Sequence, residues 1–196
     1  AVFTEAGLPM VARLTPFSRP AGLDDALAAL GWQRQDDTRV MVAPQCPSVA
    51  EPLTPGLVWQ QLDAASYAEV VGALRGSPAE QRSAHAQRLA LSPVPYQGWV
   101  LRRPDDGQVL ACGQSATEGD LVGLYDVFTH PQARGQGLAR ILCSRLLAQA
   151  HAAGARVAYL QVDADNRPAR AIYRRLGFAD AYAYHYRSPD PGADPH

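Results

Sequence analysis

The chain contains no lysine. All 18 of its basic side chains are arginine, set against 19 acidic ones for a formal net charge of −1. Without an ε-amine there is no Walker-type phosphate loop, no pyridoxal Schiff base and no lysine nucleophile. Isoleucine occurs only at Ile141 and Ile172, whereas Gly and Pro reach 16 each, as expected of a GC-rich coding bias. The three cysteines, Cys46, Cys112 and Cys143, are odd in number and lack C-x-x-C spacing. That excludes a disulfide framework and a zinc site, so they read as small buried hydrophobes. The five histidines share no ligand spacing, and Pro168 and Arg174 break the calcium-loop pattern that Asp163-x-Asp165 begins. No metal is expected. No apolar run approaches the roughly 20 residues of a membrane helix, and no signal peptide opens the chain, so the expected location is the cytoplasm. A near-neutral charge gives no general attraction to nucleic acid or acidic membranes. Ala1 in place of an initiating methionine points to a processed or truncated form.

A hydrophobic fraction of 47% with 19% charged residues describes a globular chain, and 196 residues suit one domain plus part of another. Residues 44–56 hold four prolines and read as a linker. Beyond it the pattern predicts a strand over 57–62, a helix over 64–74 and a second helix opened by Ser77-Pro78-Ala79-Glu80. Strands over 99–103, 108–116 and 121–129, joined by short Gly-containing turns, predict an antiparallel meander. Leu138, Ile141, Leu142 and Leu146 then mark an amphipathic helix stopped by Gly154. A strand over 157–162, a helix over 167–176 and a strand over 181–187 complete the series, and residues 188–196 read as a disordered tail.

The two ends of the chain match each other. Val11-Ala12-Arg13-Leu14 aligns with Val157-Ala158-Tyr159-Leu160, Arg19-Pro20 with Arg167-Pro168, and Leu30-Gly31-Trp32 with Leu176-Gly177-Phe178. Residues 1–43 therefore read as a partial strand-helix-strand copy of the C-terminal unit. The copy is degenerate, since Leu27 stands where Tyr173 falls.

Chemistry concentrates between Val127 and Arg140. There the chain leaves a strand, turns through Gly135-Gln136-Gly137 and enters a helix whose free N–H groups and dipole suit a pyrophosphate. A dinucleotide fingerprint is excluded, because Arg140 occupies the place of its third glycine. Gln132-Ala133-Arg134-Gly135-Gln136-Gly137 resembles the Q/R-x-x-G-x-G/A motif of the GNAT superfamily of N-acetyltransferases. A second stretch, from Asn166 to Phe178, is similar to that family's N-x-x-A-x-x-x-Y-x-x-x-G-F segment. The resemblance covers about residues 57–187 and looks like a bacterial tandem member with a degenerate first half. It implies an α/β (α+β) fold, a mixed twisted sheet with an antiparallel meander, flanked by helices.

The resemblance further implies acetyl-CoA as cosubstrate and a primary amine of a small molecule or peptide as acceptor. Phe128 and Thr129 on a bulged fourth strand would pair with the pantetheine arm. Arg134, Gly135, Gln136, Gly137, Leu138, Ala139 and Arg140 would hold the pyrophosphate. Asn166 would bond the pantetheine or the strand-to-helix turn, and Tyr173 would protonate the leaving thiolate. A phenol with a reference pKa of about 10 can serve a thiolate whose conjugate acid lies near 8.5. Without that motif, Tyr173 reads as a core tyrosine beside Ala169, Ile172 and Leu176. Attack is then direct in a ternary complex, with the oxyanion met by a backbone N–H of the fourth strand. The family's glutamate on the fifth strand is Gln161 here, which leaves the base open among Asp126, Glu118 and a water chain past Tyr125. A non-catalytic acyl-CoA-binding or regulatory module is the competing reading. Weaker acceptor-site candidates are Tyr96, Trp99 and the alternating Tyr182, Tyr184 and Tyr186. Of the arginines at 167, 170, 174 and 175, one or two could meet the 3′-phosphate of CoA.

Overall fold

The computed structural model describes residues 10–189. In chain order the elements are β1 (Ala12–Leu14), α1 (Leu23–Ala29), β2 (Gln33–Ala43), β3 (Val58–Leu62), α2 (Ala64–Arg75), α3 (Ala79–Leu91), β4 (Tyr96–Arg102), β5 (Val109–Glu118), β6 (Leu121–Thr129), α4 (Leu138–Ala152), β7 (Val157–Asp163), α5 (Arg167–Arg175) and β8 (Ala179–Ser188). The α/β class and the meander agree with the sequence reading. Two compact units emerge, and they divide the chain differently from the expected domains at 1–43, 44–56 and 57–187. Among the described residues, 42–160 and 170–179 form the larger unit; 10–41, 161–169 and 180–189 form the smaller.

In the larger unit β3, β4, β5 and β6 pair antiparallel in succession, with Gln60 opposite Val100, Val100 opposite Cys112 and Ser115 opposite Leu124. β7 then joins β6 in parallel, which makes the sheet mixed. One face carries α2. Tyr67, Val71, Val100 and Cys112 form a buried cluster there, and Tyr67 lies so close over Gly98 that no side chain fits at that position. The opposite face carries α4, whose Leu142 and Leu146 fill the space left by Gly113. Both leucines are fully buried, so truncating either to alanine costs about 2–5 kcal/mol.

Local chemistry fixes the helix ends. Asp63 caps α2 by accepting from the Ser66 N–H at 2.9 Å, and Gly76 closes that helix in the left-handed region at φ 71°. α3 differs from expectation by one residue: Pro78 stands before its first turn and no side chain caps it. The proline-rich segment is not a free linker. It is bonded to α4 and to the turn after it, with the Cys46 N–H donating to the Arg156 carbonyl at 2.6 Å and the Glu51 N–H to Ser144 Oγ at 3.0 Å.

In the smaller unit β1 pairs antiparallel with β8, Ala12 opposite Arg187. Asp24, in the first turn of α1, is ion-paired to Arg187, and His185 Nε2 lies 2.9 Å from its Oδ1. The order strand, helix, strand is present near the N-terminus, but that segment is tied to β8. Ser188 is the buried last residue of β8, so the chain is ordered one residue into the expected tail. Residues 190–196 of that tail lie outside the described residues.

Candidate functional site

The site starts where two strands part. β6 and β7 pair from Leu121 opposite Val157 to Leu124 opposite Leu160, and the pairing ends there. On its other edge β6 is bulged: Gln114 faces Tyr125 and Cys112 faces Phe128, so Asp126 and Val127 together oppose Gly113. Asp126 takes φ 51°, a left-handed value that a non-glycine residue seldom adopts. The insertion bends the strand and re-aims its side chains. The edge of β6 beyond Leu124 therefore lies past its last β7 pair.

Downstream, a short 3₁₀ turn, Pro131–Ala133, leads to Gly135 at φ 78° and Gly137 at φ 76°. Both angles belong to the region that favours glycine, which is why the G-x-G spacing is needed at this turn. Gly137 is the N-cap of α4, and its carbonyl accepts from the N–H groups of Arg140 and Ile141, each at 3.1 Å. Ahead of these, the N–H groups of Leu138 and Ala139 have no intrahelical acceptor, as at any helix start. Arg134 lies 5.8 Å over the Phe128 ring, and its Nε donates to the Thr129 carbonyl at 3.4 Å.

A family model described as "Acetyltransferase (GNAT) family" matches residues 73–178, more than half of the chain, which takes in β6, the Gly135 and Gly137 turn, α4 and α5. The chain belongs to the GNAT acetyltransferase family. Among curated relatives, the IAA acetyltransferase of Azospirillum brasilense is 36% identical over 94 residues, covering 47% of this chain and 60% of that protein. The uncharacterized N-acetyltransferase YobR of Bacillus subtilis is 25% identical over 189 residues, covering 94% of this chain and 75% of that one. The fold is shared with a GCN5-related N-acetyltransferase from Kribbella flavida, at a TM-score of 0.70 and 22% identity over 97% of this chain and 72% of that structure. The chain thus spans about three-fifths of the Azospirillum relative and about three-quarters of the others.

As a GNAT domain the chain offers Tyr173 on α5. Its ring is buried and meets Phe178 edge-on at 6.0 Å. Burial, with the nearby Cys143, pushes the phenol pKa up, so the hydroxyl keeps its proton throughout the neutral range. Asn166 serves the strand-to-helix turn: its Oδ1 accepts from the Ala169 N–H at 3.2 Å. Gln161 accepts from the Tyr184 hydroxyl. Cys143 is buried with its thiol pushed up to about 12, so it supplies no thiolate.

Asp126, a candidate base, is surrounded by donors. Arg75 Nη1 lies 2.9 Å from Oδ1, while His85 Nε2 and Gln114 Nε2 each lie 3.2 Å from Oδ2. Burial works to raise its pKa, but the hydrogen bond from His85 and the charge of Arg75 outweigh it, and the carboxyl titrates below its ordinary value. Asp126 is a held anion, poorly suited to take a proton itself. Glu118 is exposed at the far end of β5, level with Leu121.

The aromatic candidates separate. Tyr96 meets Tyr125 edge-on at 5.1 Å, and the Tyr125 and Tyr159 hydroxyls are hydrogen-bonded at 2.7 Å beside the last β6 and β7 pair. Burial pushes the Tyr125 pKa up, with Tyr159 adding to it. Trp99, three residues on from Tyr96, projects to the opposite face of β4 and stacks on Trp59 at 4.7 Å. Tyr184 packs under Arg13, whose guanidinium is 3.8 Å from the ring, Tyr186 meets Tyr184 edge-on at 5.6 Å, and Tyr182 meets Phe17 at 5.4 Å. Packing accounts for all three. Arg75, His85 and Glu51 were not singled out by sequence, because their partners are distant in the chain and no spacing marks them. Among the described residues there is no group of three or more metal-ligating side chains, and no helix is long and apolar enough to cross a membrane.

Proposed function

We propose that the chain transfers the acetyl group of acetyl-CoA to a primary amine of a small molecule or peptide by direct attack in a ternary complex. The observation that carries this reading is the parting of β6 from β7 after Leu124 and Leu160, immediately beside a bulge at Asp126 and upstream of the Gly135 and Gly137 turn. The pantetheine arm lies along the edge of β6 at Phe128 and Thr129. The diphosphate meets the N–H groups from Gly135 to Ala139, helped by the guanidinium of Arg140. Asn166 supports the turn into α5. The acceptor enters on the face that carries Tyr96, Tyr125, Asp126 and His85.

The amine attacks as a free base. Its nitrogen forms a bond to the thioester carbon while the carbon–sulfur bond breaks, and the thiolate takes a proton from Tyr173. A backbone N–H of β6 beyond the bulge meets the oxyanion. The ammonium proton leaves toward the Asp126 and His85 pair, in which the held carboxylate lies 3.2 Å from Nε2 and orients the imidazole. The tandem relation of the N-terminal strand-helix-strand to the C-terminal unit is part of this proposal, supported by the paired sequence matches alone.

Acetyl-CoA turnover measured over a panel of primary amines tests the reading, with Tyr173→Phe beside the wild type. Amide formation with free CoA release, reduced in the variant, is the expected result. Acetyl-CoA binding without turnover on any amine would replace it with the acyl-CoA-binding module, and an undiminished Tyr173→Phe rate would remove the assigned acid.

A further inference from the structure

The segment between β2 and β3 delivers a carboxylate to the start of α4. Cys46 anchors it near the end of that helix, with the N–H on the Arg156 carbonyl and Sγ 3.5 Å from the Leu147 carbonyl. Further along, both backbone groups of Glu51 are held: the N–H donates to Ser144 Oγ at 3.0 Å, and the carbonyl accepts from Arg145 Nη1 at 3.3 Å. With its backbone fixed, Glu51 extends its side chain to an ion pair with Arg140 Nη1. Arg140 is in the first turn of α4, and its guanidinium reaches back to within 4.0 Å of where a side chain on Gly137 would begin. It is the cationic side chain in that first turn, so the group the turn offers to a diphosphate is the one that Glu51 holds.

We propose that Glu51 is an internal occupant of the phosphate-binding arginine, a carboxylate that the cosubstrate's diphosphate must displace, and that it thereby sets the affinity for acetyl-CoA. The inference rests on the acetyl-transfer reading of this turn. Both anions suit the same guanidinium and the same helix N-terminus, and a diphosphate beside an undisplaced carboxylate would be repelled. Displacement needs rotation of one side chain only, because the segment stays anchored through Cys46 and the Glu51 backbone. The Arg140 side chain is 43% exposed, so the ion pair is one that water weakens and a ligand can replace.

The test is calorimetric titration of the full chain with acetyl-CoA and, separately, with acetyl-pantetheine, which carries the thioester and no phosphate. Glu51→Gln keeps the shape and both backbone bonds. The expected result is acetyl-CoA binding tighter in the variant by about 1.4- to fivefold, the range that an exposed ion pair commands, with acetyl-pantetheine binding unchanged. Equal or weaker acetyl-CoA binding overturns the proposal and makes Glu51 a brace for Arg140. An equal gain for acetyl-pantetheine overturns it as well, since the effect would not act through phosphate. If the wild type fails to bind acetyl-CoA, the acetyl-transfer reading falls and takes the proposal with it. Binding by the wild type without a gain in Glu51→Gln removes the proposal alone.

Discussion

His85 Nε2, on α3, lies 3.2 Å from Oδ2 of Asp126, the residue at the bulge of β6. The pairing joins a helix to the strand at the place where that strand leaves its neighbour. With Oδ1 taken by Arg75, the carboxylate is ionised and directs the Nε2 of the imidazole inward. His85→Gln keeps a donor for Asp126 but loses the basic nitrogen. We expect kcat/KM for the amine to fall by about 10²-fold at neutral pH, the scale of general base catalysis, with acetyl-CoA binding unchanged. A variant that retains the wild-type rate would sink the role given to His85.

Asp126 also bears backbone strain, at φ 51°. Asn tolerates that conformation almost as well as Asp, whereas Ala does not. Asp126→Ala should therefore be less stable than Asp126→Asn by about 1 kcal/mol in urea unfolding. Equal stabilities would show that the bulge relaxes at no cost.

Tyr173→Phe leaves the packing against Phe178 intact, so its melting temperature should stay within a few degrees of the wild type. Its kcat should fall by about 10²-fold, the usual contribution of a positioned acid. Because burial raises the phenol pKa, the proton is held as pH rises. The wild-type kcat should consequently show no fall from ionisation of Tyr173 as pH is raised from 7 to about 10, the reference value for the group. A fall in that window that is absent in Tyr173→Phe would contradict the assignment.

The Gly135 turn gives a backbone prediction. A Cβ at Gly135 would meet nothing within 4 Å, yet φ is 78°. Gly135→Ala therefore tests conformation alone and should cost about 1–2 kcal/mol of stability. Fluorescence-monitored unfolding measures it; a neutral effect would mean that the turn can take another form.

In the smaller unit Arg187, with His185 adding to it, lowers the pKa of Asp24 from 3.8 to about 2. The folded value is the depressed one, so its stabilising effect is complete above 3.8 and is lost as pH falls toward 2. Asp24→Asn should flatten the melting temperature against pH across that window and leave the slope above pH 5 unaltered. An unchanged acid slope would show that the ion pair with Arg187 does not persist in solution.

Much of this protein was legible locally. The Gly135 and Gly137 spacing announced a turn because only two left-handed residues can bring the chain into α4 this way, and that constraint is carried by the residues themselves. The amphipathic spacing of Leu138, Ile141, Leu142 and Leu146 similarly defined a buried helix face, and the GNAT resemblance followed from motifs that are contiguous in sequence. The exact place of the bulge was not legible, since it falls on Asp126 and no glycine marks it. Nor was the partition of roles, because Arg75 and His85 reach Asp126 only after α2 and α3 pack on the meander. The proline-rich stretch shows the same limit: composition identifies an irregular segment, but it cannot show that its glutamate lies against an arginine 89 residues away. The glycine-borne turn and the helix faces depend on near neighbours, so sequence by itself determines them. Charge pairing depends on which distant side chains the packed helices and sheet bring together, and that was decided by tertiary structure alone.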